Sequence, residues 1–256
     1  MTWGARVFGV GIIALGMVCL VRGNFDPGQP VPKDFPARTA LAYSVAAFMV
    51  VAGASMEWRR TMAWGAAALA GYYALVVVVL MNGRLVLAHF AEFGSYSGAA
   101  EQLALAAGAL IVFAASARID DAPAARLRRL GQRAFGICAV LFGAAHFFYM
   151  NLTAPLVPTW LPPSQEFWGY ATGVAHIAAG MAILTGIQAR LAAILLTAMY
   201  ASFTPLVHLP MLLADPSSAA IWSENALNLA LAGAAWVVAD SFRPGPSGRR
   251  LAGIRS

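Results

Sequence analysis

The chain has 256 residues, 60% of them hydrophobic and 11% charged, with a net charge of +6. An ordinary soluble domain carries about 25% charged residues, so a water-soluble globular fold is excluded for want of charge to coat its surface. Disorder is excluded by the same apolar excess. Two cysteines, Cys19 and Cys138, exclude a disulfide scaffold or a cysteine-only metal cluster.

A helix needs about 20 apolar residues to cross about 30 Å of hydrocarbon. In chain order, eight segments meet this: 6–22, 38–56, 62–82, 99–117, 133–150, 166–187, 190–208 and 221–240. The first follows Arg6 and meets no small-residue cleavage site before Arg22, so it reads as an uncleaved span. Breaks fall where charge, Pro and Gly gather, at 23–36 and 118–133. Of the 17 Lys and Arg, 13 lie at the N-terminus, in the loops after the even-numbered segments and in the tail. The other side holds Arg22, Lys33, Arg38 and Arg84. The positive-inside bias then puts both termini in the cytoplasm; the membrane expected is a bacterial inner membrane. The basic face favours anionic lipid headgroups. It lacks the aromatic or motif context of a nucleic-acid binder, so no nucleic-acid partner is expected.

The chain repeats itself. Arg6-Val7-Phe8-Gly9 returns as Arg133-Ala134-Phe135-Gly136, an offset of 127. At that offset Gly16 meets Gly143, Asn24 meets Asn151, Pro36 meets Pro163, Tyr43 meets Tyr170, Gly53 meets Gly180 and Tyr73 meets Tyr200. Near the end Glu101-Gln102 corresponds to Glu224-Asn225, at an offset of 123. The fold class expected is an all-α membrane protein whose eight transmembrane helices form two tandem parallel four-helix bundles. An even number of spans per half makes the repeats parallel, which disfavours a transporter of the inverted-repeat kind. The organisation expected is a degenerate first repeat over 1–117, a basic cytoplasmic linker over 118–132, a second repeat over 133–242 and a basic cytoplasmic tail over 243–256.

Ionisable residues inside a membrane are costly and mark functional sites by default. The second half holds His146, His176, His208, Glu224 and Asn228 as candidate ligand or proton-relay residues. Helical rise places His146, His208 and Glu224 in the outer third and His176 roughly 16 Å deep. His146, His208 and Glu224 could ligate a metal, a His pair could hold a haem, and a His with an acid could exchange protons with a quinone. Equally, each could fasten helices by hydrogen bonds. Gly169, Gly173 and Gly180 form a close-packing seam on the sixth segment. In the first half Cys19, Met49 and Met81 stand in place of the three histidines, a softer set that would suit Cu(I). The proline-rich loop 153–165 carries Trp160, an interfacial anchor that could cap the outer mouth.

In the second half, Arg133–Gly136, His146-Phe147-Phe148, Val157–Pro162, Tyr170–Gly173 with His176, Ala179-Gly180, Arg190–Ala193 and Val207–Pro210 form a set of short motifs. Together they resemble the DoxX-like family of small membrane proteins. The resemblance covers about 130–240 closely and the first half weakly. It implies a four-helix unit, here duplicated, and membrane subunits associated with quinone-linked or thiol redox enzymes. No CxxC pair is present, which speaks against direct thiol–disulfide exchange. No catalytic residue of the family is available to carry over. The function expected is an integral membrane redox-associated subunit. It would bind a quinone, a metal or a haem in the outer half of the second bundle, and act with a membrane or periplasmic redox partner in the lipid bilayer. The alternative is a non-enzymatic membrane binding or assembly protein for a lipid or a partner protein. Homo-oligomerisation is compatible with either.

Overall fold

The computed structural model describes residues 3–243; the tail 244–256 lies outside the described residues. Those residues are helical, with no strand among them. Eight long helices follow in order: α1 Trp3–Arg22, α2 Arg38–Ser55, α3 Met62–Ala88, α4 Phe93–Ser116, α5 Asp121–Phe148, α6 Gln165–Thr185, α7 Ala189–Ala214 and α8 Ala219–Ser241. Helices α1 to α7 are long and apolar enough to cross a membrane, which marks the chain as a membrane protein.

The ends are set locally. Gly23 and Gly186 take left-handed backbone, with φ of 59° and 79°, and stop α1 and α6. Ser164 and Ser218 cap α6 and α8, their hydroxyls accepting from the amides of Phe167 at 3.1 Å and Ile221 at 3.4 Å.

Two expectations change here. The linker 118–132 is helical from Asp121 onward, continuous with the fifth span. Its 28 residues reach roughly 42 Å, about two turns more than the hydrocarbon. The Arg126–Arg129 end therefore projects. Secondly, α8 is not among the helices apolar enough to span. It carries Glu224, Asn225, Asn228 and Asp240, yet 13 of its 23 residues are buried. A central helix touches protein more than lipid, so small and polar residues serve it where Leu and Ile serve an outer one.

Several glycine contacts recur at the offset of 127. A Cβ on Gly16 would lie 2.9 Å from Ala46 O and from the Val50 side chain; one on Gly143 would lie 2.5 Å from Gly173 O and Ile177. Each of these partners is shifted by 127. Gly53 against Gly9 and Ile13 likewise repeats as Gly180 against Gly136 and Val140. Both third helices contain π-helical turns, at Tyr72–Asn82 and Thr204–His208, and the second falls on 77–81 of the first.

The halves nevertheless do not stand apart as two closed bundles. Helix α1 packs along α2 and α8, α5 packs along α6 and α4, and α4 meets α8 at the centre. The first helix of each half thus leans on the fourth helix of the other. Gly11 lies on the Ala230 backbone and Gly233 on that of Phe8. One apolar core runs through both halves, holding Phe8, Leu105, Phe135, Leu196 and Val238.

These contacts predict that Gly180→Leu separates α5 from α6. A Cβ there would already sit 2.6 Å from Gly136 O, and backbone cannot move aside as a side chain can. The expected cost is about 3 kcal/mol, at the high end for overpacking. The melting temperature in detergent should fall sharply, and Gly53→Leu should have the same effect on α1 and α2.

Candidate functional site

Helices α5, α6, α7 and α8, with α4 forming one wall, line a cleft of about 240 Å³ that is open on one side. All five candidate residues, His146, His176, His208, Glu224 and Asn228, line it. So do Glu101 and Tyr200, which the sequence reading used only as markers of the repeat. The signal for Glu101 was available: it is a carboxylate well inside a long helix, paired with Glu224 at an offset of 123.

The rings cluster. His146 and His176 lie 5.3 Å apart between centroids, with planes at 31°. Tyr200 lies 5.5 Å and Phe142 6.2 Å from His176. The depth expected for His176 is therefore corrected: its ring is beside His146, not in a separate layer. Helix α5 ends at Phe148, two residues past His146, while α6 begins at Gln165, eleven before His176. The start of α6 therefore overhangs the end of α5. Gly173 permits the approach, since a Cβ there would lie 2.9 Å from His146 Cβ. In the same seam Gly169 packs on Met150 and Gly180 on α5.

His176 is 2% exposed, and its Nδ1 donates to the Thr172 carbonyl at 3.0 Å. A carbonyl only accepts, so the proton sits on Nδ1 and Nε2 faces its neighbours as an acceptor in the neutral ring. Asn228 is committed to structure: its Nδ2 donates to Tyr200 O at 3.0 Å and to Thr204 Oγ1 at 3.1 Å. Asn225 similarly donates to His208 O at 3.1 Å. These amides satisfy carbonyls at the π-helical turn beside Pro205, where the α-helical ladder is broken.

Two polar atoms of the cluster, His146 Nδ1 and Tyr200 Oη, are buried without a hydrogen-bond partner. Tyr200 is only 3% exposed. Leaving such atoms unpaired costs about 1–3 kcal/mol each, a cost that a polar ligand in the cavity offsets. A metal does not fit so well. Among the described residues no group of three or more His, Cys, Asp or Glu is placed to hold a metal ion, so His146, His208 and Glu224 do not converge as a ligand set. A haem fits no better. The cavity lies below the roughly 300–1,000 Å³ usual for drug-sized ligands, which suits a single-ring head group and not a macrocycle.

The first half shows the same place filled. Gln29, 2% exposed, reaches in from the loop after α1. Its Nε2 donates to Met49 Sδ at 3.4 Å, and Tyr72 Oη donates to its Oε1 at 3.1 Å. Met49 is the counterpart of His176. The Cys19–Met49–Met81 position thus contains an amide of the chain itself. His89 stands apart in a loop, against Glu92 at 3.0 Å. Of loop 153–165 only Thr153 reaches the histidine cavity, and Trp160 is 69% exposed.

A second cavity of about 200 Å³ lies beside the first on the side of loop 23–37. It is lined by Asp26, Asn82, Ser95 and Ser223, and shares Glu101, Glu224 and Leu227 with the histidine cavity. No Lys or Arg lines either, among the described residues. Asp26 is 6% exposed. Burial pushes its carboxyl above the usual range, against the hydrogen bonds from the Gly28 amide at 2.9 Å and from Ser223.

Tyr200→Phe removes a buried hydroxyl with no partner, so the ligand-free protein should melt no lower than wild type. For Asp26, a folded pKa above the unfolded one means that the fold holds the proton more tightly. Stability should fall as pH rises from the ordinary carboxylate range through the folded value. Asp26→Asn should match wild type in acid and exceed it at neutral pH, as read by thermal melts at a series of pH values.

Residues 135–239 are similar to a family described as a domain of unknown function (DUF8561), a match that includes all five candidate residues and leaves out the first half. No curated protein and no solved structure matches the chain.

Proposed function

We propose that the chain is a redox-associated subunit of the bacterial inner membrane that binds a quinone head group among His146, His176, Tyr200 and His208. In this reading it crosses the membrane eight times, α8 being the eighth span, with both termini cytoplasmic. Its two tandem four-helix units are DoxX-like, and the recurrence of contacts at an offset of 127 supports the duplication. The observation that carries the ligand assignment is the aromatic-walled cavity with two buried polar atoms, His146 Nδ1 and Tyr200 Oη, left unpaired.

A quinone supplies two-electron, two-proton chemistry when bound, with electrons from a membrane or periplasmic redox partner. The chain's own groups bind and move protons. Tyr200 Oη is a donor for a carbonyl oxygen, and His146 can hold a proton at Nδ1. Glu224 and Glu101 lie in both cavities. They are the groups through which the histidine cavity exchanges protons with the Asp26 side, across water-sized gaps.

Full-length protein in detergent, titrated calorimetrically with a short-chain ubiquinone analogue, should bind one equivalent. Tyr200→Phe should weaken binding about tenfold, the loss of one good hydrogen bond. His146→Ala/His208→Ala should abolish it while the protein still inserts. Elemental analysis should find no stoichiometric Fe, Cu or Zn. Equal binding by wild type and the double variant would overturn the reading, as would one metal per chain lost in that variant.

A non-enzymatic lipid-binding or assembly role is the second reading. An apolar groove of about 640 Å³ between α1, the π-helical turn of α7 and α8 favours it, lined by Met17, Val18, Val21, Trp222 and Leu229.

A further inference from the structure

At the end of the molecule opposite the Asp26 cavity, the two halves meet around a space of about 490 Å³. Arg59, from the turn between α2 and α3, Arg128 on α5 and Arg243 after α8 all line it. They come from three separate elements, so their convergence is a product of the fold and not of a local basic run. The one carboxylate present, Asp240, is taken by Arg243 at 3.0 Å. Arg59 and Arg128 form no ion pair among the described residues and are exposed. The deeper wall is apolar, made by Ala5, Met62, Ile111, Val112 and Val237. At its edge Gln132 Nε2 donates to Ser241 Oγ at 2.9 Å and ties α5 to α8.

Two uncompensated guanidinium groups over an apolar wall define the ligand chemistry. Guanidinium matches phosphate oxygens with paired N–H donors, and basic pockets between membrane helices take anionic headgroups. A free phosphate would leave the apolar wall unused; a phosphate carried on a glycerol and acyl chains would cover it. We propose that this cavity holds the phosphate head group of an anionic phospholipid, with Arg59 and Arg128 as its charge partners. The lipid would lie where α1 and α8 of opposite halves meet α4 and α5, joining the two halves from within. This is independent of the quinone reading, since the two cavities share no residue.

The test uses full-length protein delipidated in neutral detergent. Dioleoyl-phosphatidylglycerol, dioleoyl-phosphatidylcholine or sodium phosphate is added, and thermal melts and native mass spectrometry are recorded. Phosphatidylglycerol should raise the melting temperature and leave a retained one-lipid adduct; phosphatidylcholine and inorganic phosphate should do neither. Arg59→Gln/Arg128→Gln should weaken the phosphatidylglycerol response about tenfold or more, at roughly 1 kcal/mol per basic residue. Its lipid-free melting temperature should be unchanged. Arg126→Gln/Arg129→Gln, on the same helix but outside the cavity, should keep the full response. If the double variant fails to fold, Arg128→Gln alone should still show a reduced response. An equal response to phosphatidylcholine, a full response in the Arg59/Arg128 variant, or an equal loss in the Arg126/Arg129 control would overturn the proposal. Reproduction of the effect by inorganic phosphate would overturn the lipid assignment in favour of a free-anion site.

Discussion

At Gly11, Gly143, Gly173, Gly180 and Gly233 a Cβ atom would lie within 3.0 Å of a neighbouring helix, in most cases of its backbone. In lipid there is no hydrophobic force to draw helices together, because acyl chains solvate Leu as well as another Leu does. What remains is dispersion between closely fitted surfaces and a few hydrogen bonds. Close approach at glycine and alanine is therefore the constraint on which the rest depends. It lets α4 and α8 occupy the centre, where 11 and 13 of their residues are buried, many of them alanine. It also lets each half lend its first helix to the other.

The same close packing builds the candidate site. Gly173 allows α5 to set His146 against His176, and the small residues of α8 bring Glu224 and Asn228 to the cavity wall. Because α4 crosses beside α8, Glu101 from the first half joins the carboxylate of the second. A site that reads as the property of residues 133–242 is completed by the other half. Long helices form most of its wall, and at the π-helical turn Thr204–His208 and just before it the carbonyls of His208 and Tyr200 are caught by Asn225 and Asn228.

The two halves share glycine contacts and differ in what fills the space beside them. The glycine contacts are kept at an offset of 127, so the frame is the same. The chemistry is not: where the second half has His176 and a cavity, the first has Met49 and the inserted amide of Gln29. A loop of the chain occupies in one half the kind of space that, in the other, is lined by titratable side chains.

Much of this was legible in the sequence because it depends on composition and local order. Hydropathy alone sets the membrane-length helices, since a run of apolar residues has nowhere else to be stable in its own length. Gly, Pro and Tyr positions carry the repeat, because those residue types are fixed by backbone approach and turn geometry. The in-span histidines and Glu224 stood out by their cost in lipid. Tertiary structure alone decided the rest. That α1 leans on α8 and α5 on α4 depends on which small-residue faces meet, and many faces of this alanine-rich chain would have fitted. The level of His176 relative to His146 follows from the overhang of two antiparallel helices, which no spacing within one helix encodes. Glu101 beside the histidine cavity, and Arg59 beside Arg128, are pairings across more than 40 residues of sequence. The sequence determined that the chain is helical and of the membrane; which of its polar residues share a space was settled by close packing in three dimensions.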